Sequence, residues 1–235
     1  YPRAWKLTEL KKALSDSQKA TEDNGWYPIF FENHDQPRCI NHFMPKGAEP
    51  IKAAKAVATI LLTLRGTPFI FQGQELALSR LKKFTNEQAM QFVNFFSRDN
   101  ARTPMQWTNK TNAGFTSGQP WLPLHDDFDK FNAETEESDK NSVLNYFRKL
   151  NYLREHNETL LNGAYEELFN DSEDIYAFSR SYEKSKIYVI VNFTLHEVEF
   201  NAKFLDYANL IFGNYENNEK GILKPLEAVI YEEEV

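Results

Sequence analysis

The chain has 235 residues, of which 41% are hydrophobic and 26% charged, so it can bury a core and is not a disordered tail. Its net charge of −7, with no basic patch to offset it, argues against a nucleic-acid-binding surface. No apolar run is long enough for a transmembrane helix, so we predict no membrane association. The single cysteine, Cys39, cannot form an internal disulfide and fits a cytoplasmic location.

Hydrophobic periodicity predicts helices and short strands in the first two thirds of the chain. The predicted helices cover residues 5–20, 49–64, 86–96 and 141–156. Two short apolar strands are predicted at 27–31 and 69–71, and each runs directly into polar residues. Strand, helix and strand in this order predict one βαβ unit, whose parallel strands end side by side at the same edge.

The remaining segments predict a loop, a polar surface and a separate β-rich region. Residues 108–123 are rich in Gly, Pro and Asn and are predicted to form an ordered loop, and the acidic residues 126–140 a solvated surface. Past Asn162 the pattern changes to short β-strands, predicted at 175–181, 187–193 and 227–231. This part of the chain therefore predicts a small antiparallel β-sandwich that starts near Asn162.

The polar residues after the first predicted strand form the best candidate site. Asn33, His34 and Asp35 come shortly after an apolar strand, at the carboxyl edge where α/β folds place their chemistry. In a water-poor pocket there, Asp35 can accept hydrogen bonds from a ligand hydroxyl or oppose developing positive charge, and His34 can donate to the same ligand. The alternative is structural: His34 would cap a helix, and Asp35 would pair with Arg38.

Other polar residues are open to both kinds of interpretation. Arg98 and Arg102, with Asp99 between them, could form a salt-bridge cluster under a loop rather than bind a ligand. Gln74 and Glu75 could orient a polar substrate or cap the next segment.

Cysteine chemistry is not expected in this chain. We interpret Cys39 as a small buried residue rather than a nucleophile, since no nearby base is apparent except His34 or His42. No cofactor and no metal site is predicted.

Three motifs point to a known family. FFENHDQPR, GTPFIFQGQE and SRDNARTPMQW, the last followed by NAGFT, occur in this order and resemble the carboxyl-terminal part of the α-amylase superfamily, glycoside hydrolase family 13. Within it, the resemblance is to the group of oligo-1,6-glucosidases, dextran glucosidases and trehalose-6-phosphate hydrolases, and it runs through nearly the whole chain. It implies an α/β plus all-β fold. Residues 1–161 would be the carboxyl-terminal portion of a (β/α)8 TIM barrel, with its last two strands and their helices, and residues 162–235 the small antiparallel β-sandwich.

The same resemblance implies roles for four residues. Asp35 matches the catalytic carboxylate that stabilises an oxocarbenium-like transition state by binding hydroxyls of the non-reducing glucose, and His34 matches its hydrogen-bonding partner. Arg102 matches an arginine that helps to close this glucose pocket, and Arg38 would bind substrate nearer the leaving group. Two departures bear on substrate choice: the family usually has two glutamates where this chain has Gln74 and Glu75, and the segment between Glu75 and Arg98 looks short.

The resemblance also implies that part of the catalytic machinery is missing. Retaining glycosidases need a nucleophile and an acid/base about 5 Å apart. In this family both come from strands that would precede Tyr1, so we expect the chain to begin inside something longer or to have been processed.

The expected function follows from this gap. The chain would be a fragment of a retaining α-glucosidase that hydrolyses α-1,6-linked, or other α-linked, gluco-oligosaccharides, and it would be inactive alone. The alternatives are a fragment of a trehalose-6-phosphate hydrolase and a non-catalytic glucosidase-like binding protein. Because the edges of its two barrel strands would be unpaired, the fragment is expected to self-associate or to pair with the missing amino-terminal half.

Overall fold

The computed structural model describes residues 6–79 and 98–234. The predicted helix at 86–96 and the start of the first predicted helix at Trp5 lie outside these residues. Within the described part, no helix is long and apolar enough to cross a membrane.

A βαβ unit positions the candidate site, as the sequence predicts. Strands β1 (Pro28–Ile29) and β2 (Thr67–Pro68) pair in parallel. Helix α1 (Leu7–Ala20) precedes β1, and the short α2 (Cys39–His42) and the longer α3 (Pro50–Thr63) lie between the two strands. The α3 helix begins where predicted because the Glu49 carboxylate accepts hydrogen bonds from the backbone N–H groups of Ile51 and Lys52 at 3.0 and 2.9 Å. Its buried residues run from Ala53 to Thr63.

Both strands are shorter than predicted, and the second is shifted. The Phe69 N–H still donates to the Ile29 carbonyl at 2.7 Å. Two residues later the Phe71 N–H donates to the Gln74 side chain instead, so the strand pairing has ended. A turn at Gly73, with φ of 88°, then redirects the chain. The predicted strand at 69–71 is therefore the loop that leaves β2.

Three α-helices lie between residues 133 and 162. They are α4 (Ala133–Ser138), α5 (Val143–Glu155) and α6 (Glu158–Asn162). The α5 helix confirms the prediction at 141–156. The prediction of a solvated surface at 126–140 is wrong in part. Asn132 is buried and caps α4, its side chain accepting from the Thr135 N–H. Glu136 is also buried, and its Oε2 accepts from the Leu144 N–H at 3.0 Å.

The last seventy residues form antiparallel sheets. A five-stranded sheet has the order β3-β4-β5-β9-β7, and a two-stranded sheet pairs β6 with β8. Their bounds are β3 Ala164–Leu168, β4 Ile175–Tyr182, β5 Ser185–Asn192, β6 Val198–Glu199, β7 Asn209–Gly213, β8 Ile222–Leu223 and β9 Ala228–Glu234. One face of the larger sheet joins Ile29 and α3 in a common core, through residues such as Phe178, Val189 and Ile230. The other face packs against Phe200, Phe204 and Leu223.

Two buried arginines, Arg154 of α5 and Arg180 of β4, connect these elements to the βαβ unit. Arg154 Nη1 donates to the carbonyls of Leu62 and Leu64 at 2.7 and 2.9 Å, and Arg180 Nη1 donates to that of Thr63 at 2.7 Å. These carbonyls end α3, where a cation also interacts favourably with the helix dipole. Burial lowers the pKa of Arg154 to about 10 and that of Arg180 to about 9.

Replacing Arg180 tests this connection. Arg180→Met leaves the carbonyls of Gly163 and Thr63 without their donor in the core, so we expect it to lower the free energy of unfolding by about 3 kcal/mol. Urea denaturation measures the change. Arg148→Met is the matched control, because Arg148 is exposed and pairs with Glu137 at the surface. Equal losses in the two variants would contradict the proposed fastening.

Candidate functional site

The predicted site residues lie at the carboxyl ends of β1 and β2. His34 and Asp35 occupy a turn after β1, and residues 72–75 follow β2. A third segment reaches this edge from later in the chain: Arg102 directly follows the 3₁₀-helix Arg98–Ala101. Because β1 and β2 are parallel neighbours, their outgoing loops share one side of the pair.

Three of the four predicted residues come together as one exposed cluster. Arg102 Nη2 donates to Asp35 Oδ1 at 3.0 Å, and Arg102 Nε donates to the His34 carbonyl, also at 3.0 Å. His34 Nε2 lies 3.6 Å from the same Asp35 oxygen. Asn33 Oδ1 accepts from the Asp35 N–H at 2.8 Å and so fixes the turn. The cluster therefore holds a carboxylate, an imidazole and a guanidinium within reach of one ligand.

The exposure of these side chains fits a binding surface. The side chains of His34, Asp35 and Arg102 are 67%, 41% and 40% exposed. The structural alternative for Asp35, a pair with Arg38, is not what the structure has, since the arginine beside Asp35 is Arg102. His34 lies in a turn and does not cap a helix.

Arg38 lies beneath the cluster, not in it. Its side chain is 2% exposed, and Nη1 donates to Glu32 Oε2 and to the Gln72 carbonyl, each at 2.8 Å. Nη2 donates to the Ala101 carbonyl at 3.3 Å, and Cζ lies 5.1 Å from the centre of the Phe71 ring. A guanidinium in this position joins the three segments that carry the cluster, and its burial leaves it little surface to offer a substrate.

Glu32 is the residue that sequence reasoning missed. It is 3% exposed, and its two oxygens are both used: Oε2 accepts from Arg38, and Oε1 accepts from the Cys39 N–H at 2.9 Å. The signal in the sequence is an ionisable residue that directly follows the apolar run of the first strand, with Arg38 six positions later. Buried charges in proteins are paired, so these two residues were candidates for one another.

The residues after β2 have local structural roles. Gln74 Oε1 accepts from the Phe71 N–H at 3.3 Å, and Glu75 Oε2 accepts from the Gly73 N–H at 2.8 Å. Burial raises the pKa of the Glu75 carboxyl, against the opposing effect of hydrogen bonds from the backbone N–H groups of Glu75 and Gly73. Both side chains therefore bond backbone N–H groups of the turn before the 3₁₀-helix Gln74–Leu76, which has no side-chain cap among the described residues.

Cys39 is a buried residue, as interpreted from the sequence. It is 1% exposed, and burial raises the pKa of its thiol well above the usual range, with Glu32 acting in the same direction. A thiol in this state is protonated and a poor nucleophile. In residues 6–79 and 98–234, no group of three His, Cys, Asp or Glu side chains is arranged to hold a metal ion.

Removing the charge of Glu32 tests the support beneath the cluster. Glu32→Gln leaves the Arg38 guanidinium buried without a counter-charge, which we expect to lower the free energy of unfolding by about 3 to 5 kcal/mol. Chemical denaturation measures this loss. Glu22→Gln is the control: Glu22 is exposed in the turn that follows α1, and its replacement should leave stability unchanged. A loss no larger than in the control would show that the pair is unimportant.

The raised pKa of Glu75 predicts a pH effect. Its stabilising contribution is fully present below the ordinary glutamate pKa of 4.5 and is lost as the pH rises through the higher pKa of the folded state. Glu75→Gln keeps an acceptor for the Gly73 N–H but cannot ionise. We therefore expect the melting temperature of the variant, relative to wild type, to rise from pH 4.5 towards neutrality. A difference that stays constant across this range would contradict the assignment.

Comparison with known proteins identifies relatives over nearly the whole chain. Residues 3–163 match the family model described as the alpha-amylase catalytic domain. The oligo-1,6-glucosidase of Bacillus cereus is 34% identical over 255 residues, which cover 96% of this chain and 46% of that protein. The trehalose-6-phosphate hydrolase of Bacillus subtilis is 32% identical over 254 residues, covering 95% of this chain and 45% of that protein.

Solved structures agree with the sequence matches. The trehalose-6-phosphate hydrolase TreA of Bacillus licheniformis superposes with a TM-score of 0.87 at 31% identity, over 96% of this chain and 46% of that chain. The isomaltulose synthase of Klebsiella sp. LX3 superposes with a TM-score of 0.88 at 32% identity, over 97% of this chain and 47% of that chain. The chain thus spans about half the length of the relatives it matches. It belongs to the alpha-amylase family of glycoside hydrolases, within which its relatives include oligo-1,6-glucosidases.

Proposed function

We propose that the chain is the carboxyl-terminal part of a retaining α-glucosidase that hydrolyses α-1,6-linked gluco-oligosaccharides. The observation that carries this proposal is the exposed cluster in which Arg102 bonds both Asp35 and the His34 backbone at the ends of parallel strands. The oligo-1,6-glucosidases among its relatives support the choice of reaction and linkage.

In this proposal Asp35 and His34 bind adjacent hydroxyls of the glucose at the non-reducing end. Hydrogen bonds from sugar hydroxyls to a carboxylate strengthen as the ring gains oxocarbenium character, so they favour the transition state over the bound substrate. Arg102 holds the Asp35 carboxylate in one orientation through the 3.0 Å bond and closes the pocket beside it. No cofactor takes part.

We assign Arg38 a positioning role in place of the substrate contact that the sequence led us to expect. Its hydrogen bonds to Glu32, Gln72 and Ala101 fix the loops that carry His34, Asp35 and Arg102. A catalytic carboxylate has to be held within a fraction of an ångström, and a buried support of this kind provides that.

We further propose that residues 1–161 are the end of a (β/α)8 barrel, with β1 and β2 as its last two strands, and that residues 162–235 are its β-sandwich. The parallel pairing of β1 and β2, and the end of the family match at residue 163, support this division. Trp26, Phe30, Phe69 and Ile70 lie on or beside these strands and are each about half exposed. In the proposed cytoplasmic enzyme, the rest of the barrel covers them, and in the isolated chain they favour self-association.

The chain alone is proposed to be inactive. Retaining hydrolysis needs two carboxyl groups about 5 Å apart across the scissile bond. In the described residues, Asp35 belongs to the exposed cluster, whereas Glu32 is buried against Arg38 and Glu75 is bonded to the Gly73 N–H. We propose, as the family resemblance implies, that the nucleophile and the acid/base come from earlier strands of the full barrel.

Hydrolysis of p-nitrophenyl α-glucoside tests the proposal. The purified chain should release no p-nitrophenol, whereas a protein that also carries the upstream coding sequence of the gene should be active. In that longer protein, Asp35→Asn should lower kcat about 1,000-fold, because it weakens a contact made in the transition state. The control Asp16→Asn, on the exposed face of α1, should leave kcat unchanged.

Two results would contradict the proposal. The first is hydrolysis by the chain alone that Asp35→Ala abolishes. The second is a longer protein that cleaves the glucoside equally well with Asp35→Asn. A longer protein that binds sugars without cleaving them would favour the non-catalytic alternative.

A trehalose-6-phosphate hydrolase is the second candidate. It is favoured by the 32% identity to the Bacillus subtilis enzyme and by the TM-score of 0.87 to the Bacillus licheniformis enzyme. The ratio of kcat/KM for isomaltose to that for trehalose 6-phosphate in the longer protein distinguishes the two. A ratio well above one supports the oligo-1,6-glucosidase assignment, and a ratio well below one supports the phosphate-specific enzyme.

A further inference from the structure

A second concave surface lies between the helices and the carboxyl-terminal sheet. This lysine cleft has a volume of about 580 Å³ and is formed by α3, the start of α5 and the loop after β7. It shares no residue with the cluster of His34, Asp35 and Arg102. Its volume lies in the range of small-molecule sites, about 300 to 1,000 Å³. Four lysines line it, namely Lys55, Lys140, Lys149 and Lys224.

None of these four lysines forms an ion pair within the described residues. In the part of the chain that the structure describes, no carboxylate oxygen lies within 4.0 Å of these four ammonium groups. Three of them donate to backbone carbonyls instead: Lys55 to Asn141, Lys149 to Lys140, and Lys224 to Asn217. Carbonyl oxygens satisfy N–H groups but carry no charge. Four cations at one cleft stand out in a protein of net charge −7.

Acidic residues of the described part lie near the cleft but do not contact these ammonium groups. Among the described lining residues the acidic one is Glu216, whose Oε1 accepts from Asn141 Nδ2 at 3.3 Å. Burial lowers the pKa of Lys55, and Lys149 acts in the same direction, whereas Asp139, Glu136 and Glu49 raise it.

The largest effect on Lys55 is its burial, which disfavours the charged ammonium. A bound anion would compensate both its burial and its repulsion from Lys149.

Aromatic rings form the apolar part of the same surface. The buried Tyr146 ring lies with its centre 5.0 Å from that of the partly exposed Phe212 ring, and Lys55 Nζ lies 5.5 Å from the centre of the Tyr146 ring. Lys224 Nζ lies 5.3 Å from the centre of the Tyr215 ring. The more exposed rings of Phe212 and Tyr215 can pack against the C–H face of a sugar, and the cleft is too large for a phosphate ion alone to fill.

We propose that the lysine cleft binds a phosphorylated monosaccharide, with the phosphate between Lys55, Lys149 and Lys224 and the sugar ring against Phe212 and Tyr215. The cleft lies at the junction of the βαβ unit and the carboxyl-terminal sheet, since Lys55 belongs to α3 and Phe212 to β7. Binding there is independent of the hydrolase reaction proposed above and needs no residue of the glucose pocket.

Calorimetric titration of the full 235-residue chain with three probes tests the proposal. Glucose 6-phosphate should bind at one site, at least about tenfold more tightly than either inorganic phosphate or glucose. Lys149→Met and Lys224→Met should each weaken its binding by about tenfold, because each removes a charge-assisted contact. These two lysines are preferred to the more enclosed Lys55, and unchanged thermal unfolding would show that the variants fold. Lys19→Met, on the exposed face of α1, is the matched control and should bind normally.

Three outcomes would overturn the proposal. One is the absence of saturable binding of glucose 6-phosphate up to about 10 mM. Another is equal affinity for glucose 6-phosphate in the wild type and in both cleft variants. The third is binding of glucose or inorganic phosphate as tight as that of glucose 6-phosphate, since the sugar and the phosphate would then not both be recognised.

Discussion

The buried pair of Arg38 and Glu32 is the constraint on which the exposed cluster depends. A guanidinium with 2% exposure has to be matched by a charge and by acceptors, and here they come from separate segments. Glu32 supplies the charge at the end of the first strand, whereas Gln72 and Ala101 supply carbonyls from the other two loops. Because one planar group with fixed donor directions binds all three, the loops cannot shift independently. The buried pair thereby fixes the positions of His34, Asp35 and Arg102 at the surface.

A similar logic holds at the opposite end of the βαβ unit. The carbonyls that end α3 have no partners within the helix, and Arg154 and Arg180 provide donors for them from α5 and β4. The chain then passes through Gly66, whose φ of 133° and close approach to the Tyr27 carbonyl leave no room for a side chain. The sheet at the end of the chain therefore helps to fix where β2 begins. Both ends of the short parallel pair are held by buried arginine.

Local signals predicted what local interactions determine. The α3 helix follows from Glu49, Pro50 and the apolar residues after them, and the grouping of His34 with Asp35 follows from their place after a strand. The partner of Asp35 could not be derived this way, because Arg102 lies 67 residues away and arrives on a loop. The burial of Arg38 was missed for a related reason: a short polar stretch looks the same whether it faces water or the inside.

The arginines that end α3 also bear on how the protein is made. Arg154 and its carbonyl partner on Leu62 are 92 residues apart, and Arg180 and Thr63 are 117 apart. Synthesis proceeds from the amino terminus, so the strand–helix–strand unit leaves the ribosome long before these side chains exist. Until then the apolar face of α3 and the ends of its backbone lack their partners. Fixing the end of α3 is therefore a late event, and a ribosome that stalls before residue 154 releases a chain that lacks both arginines.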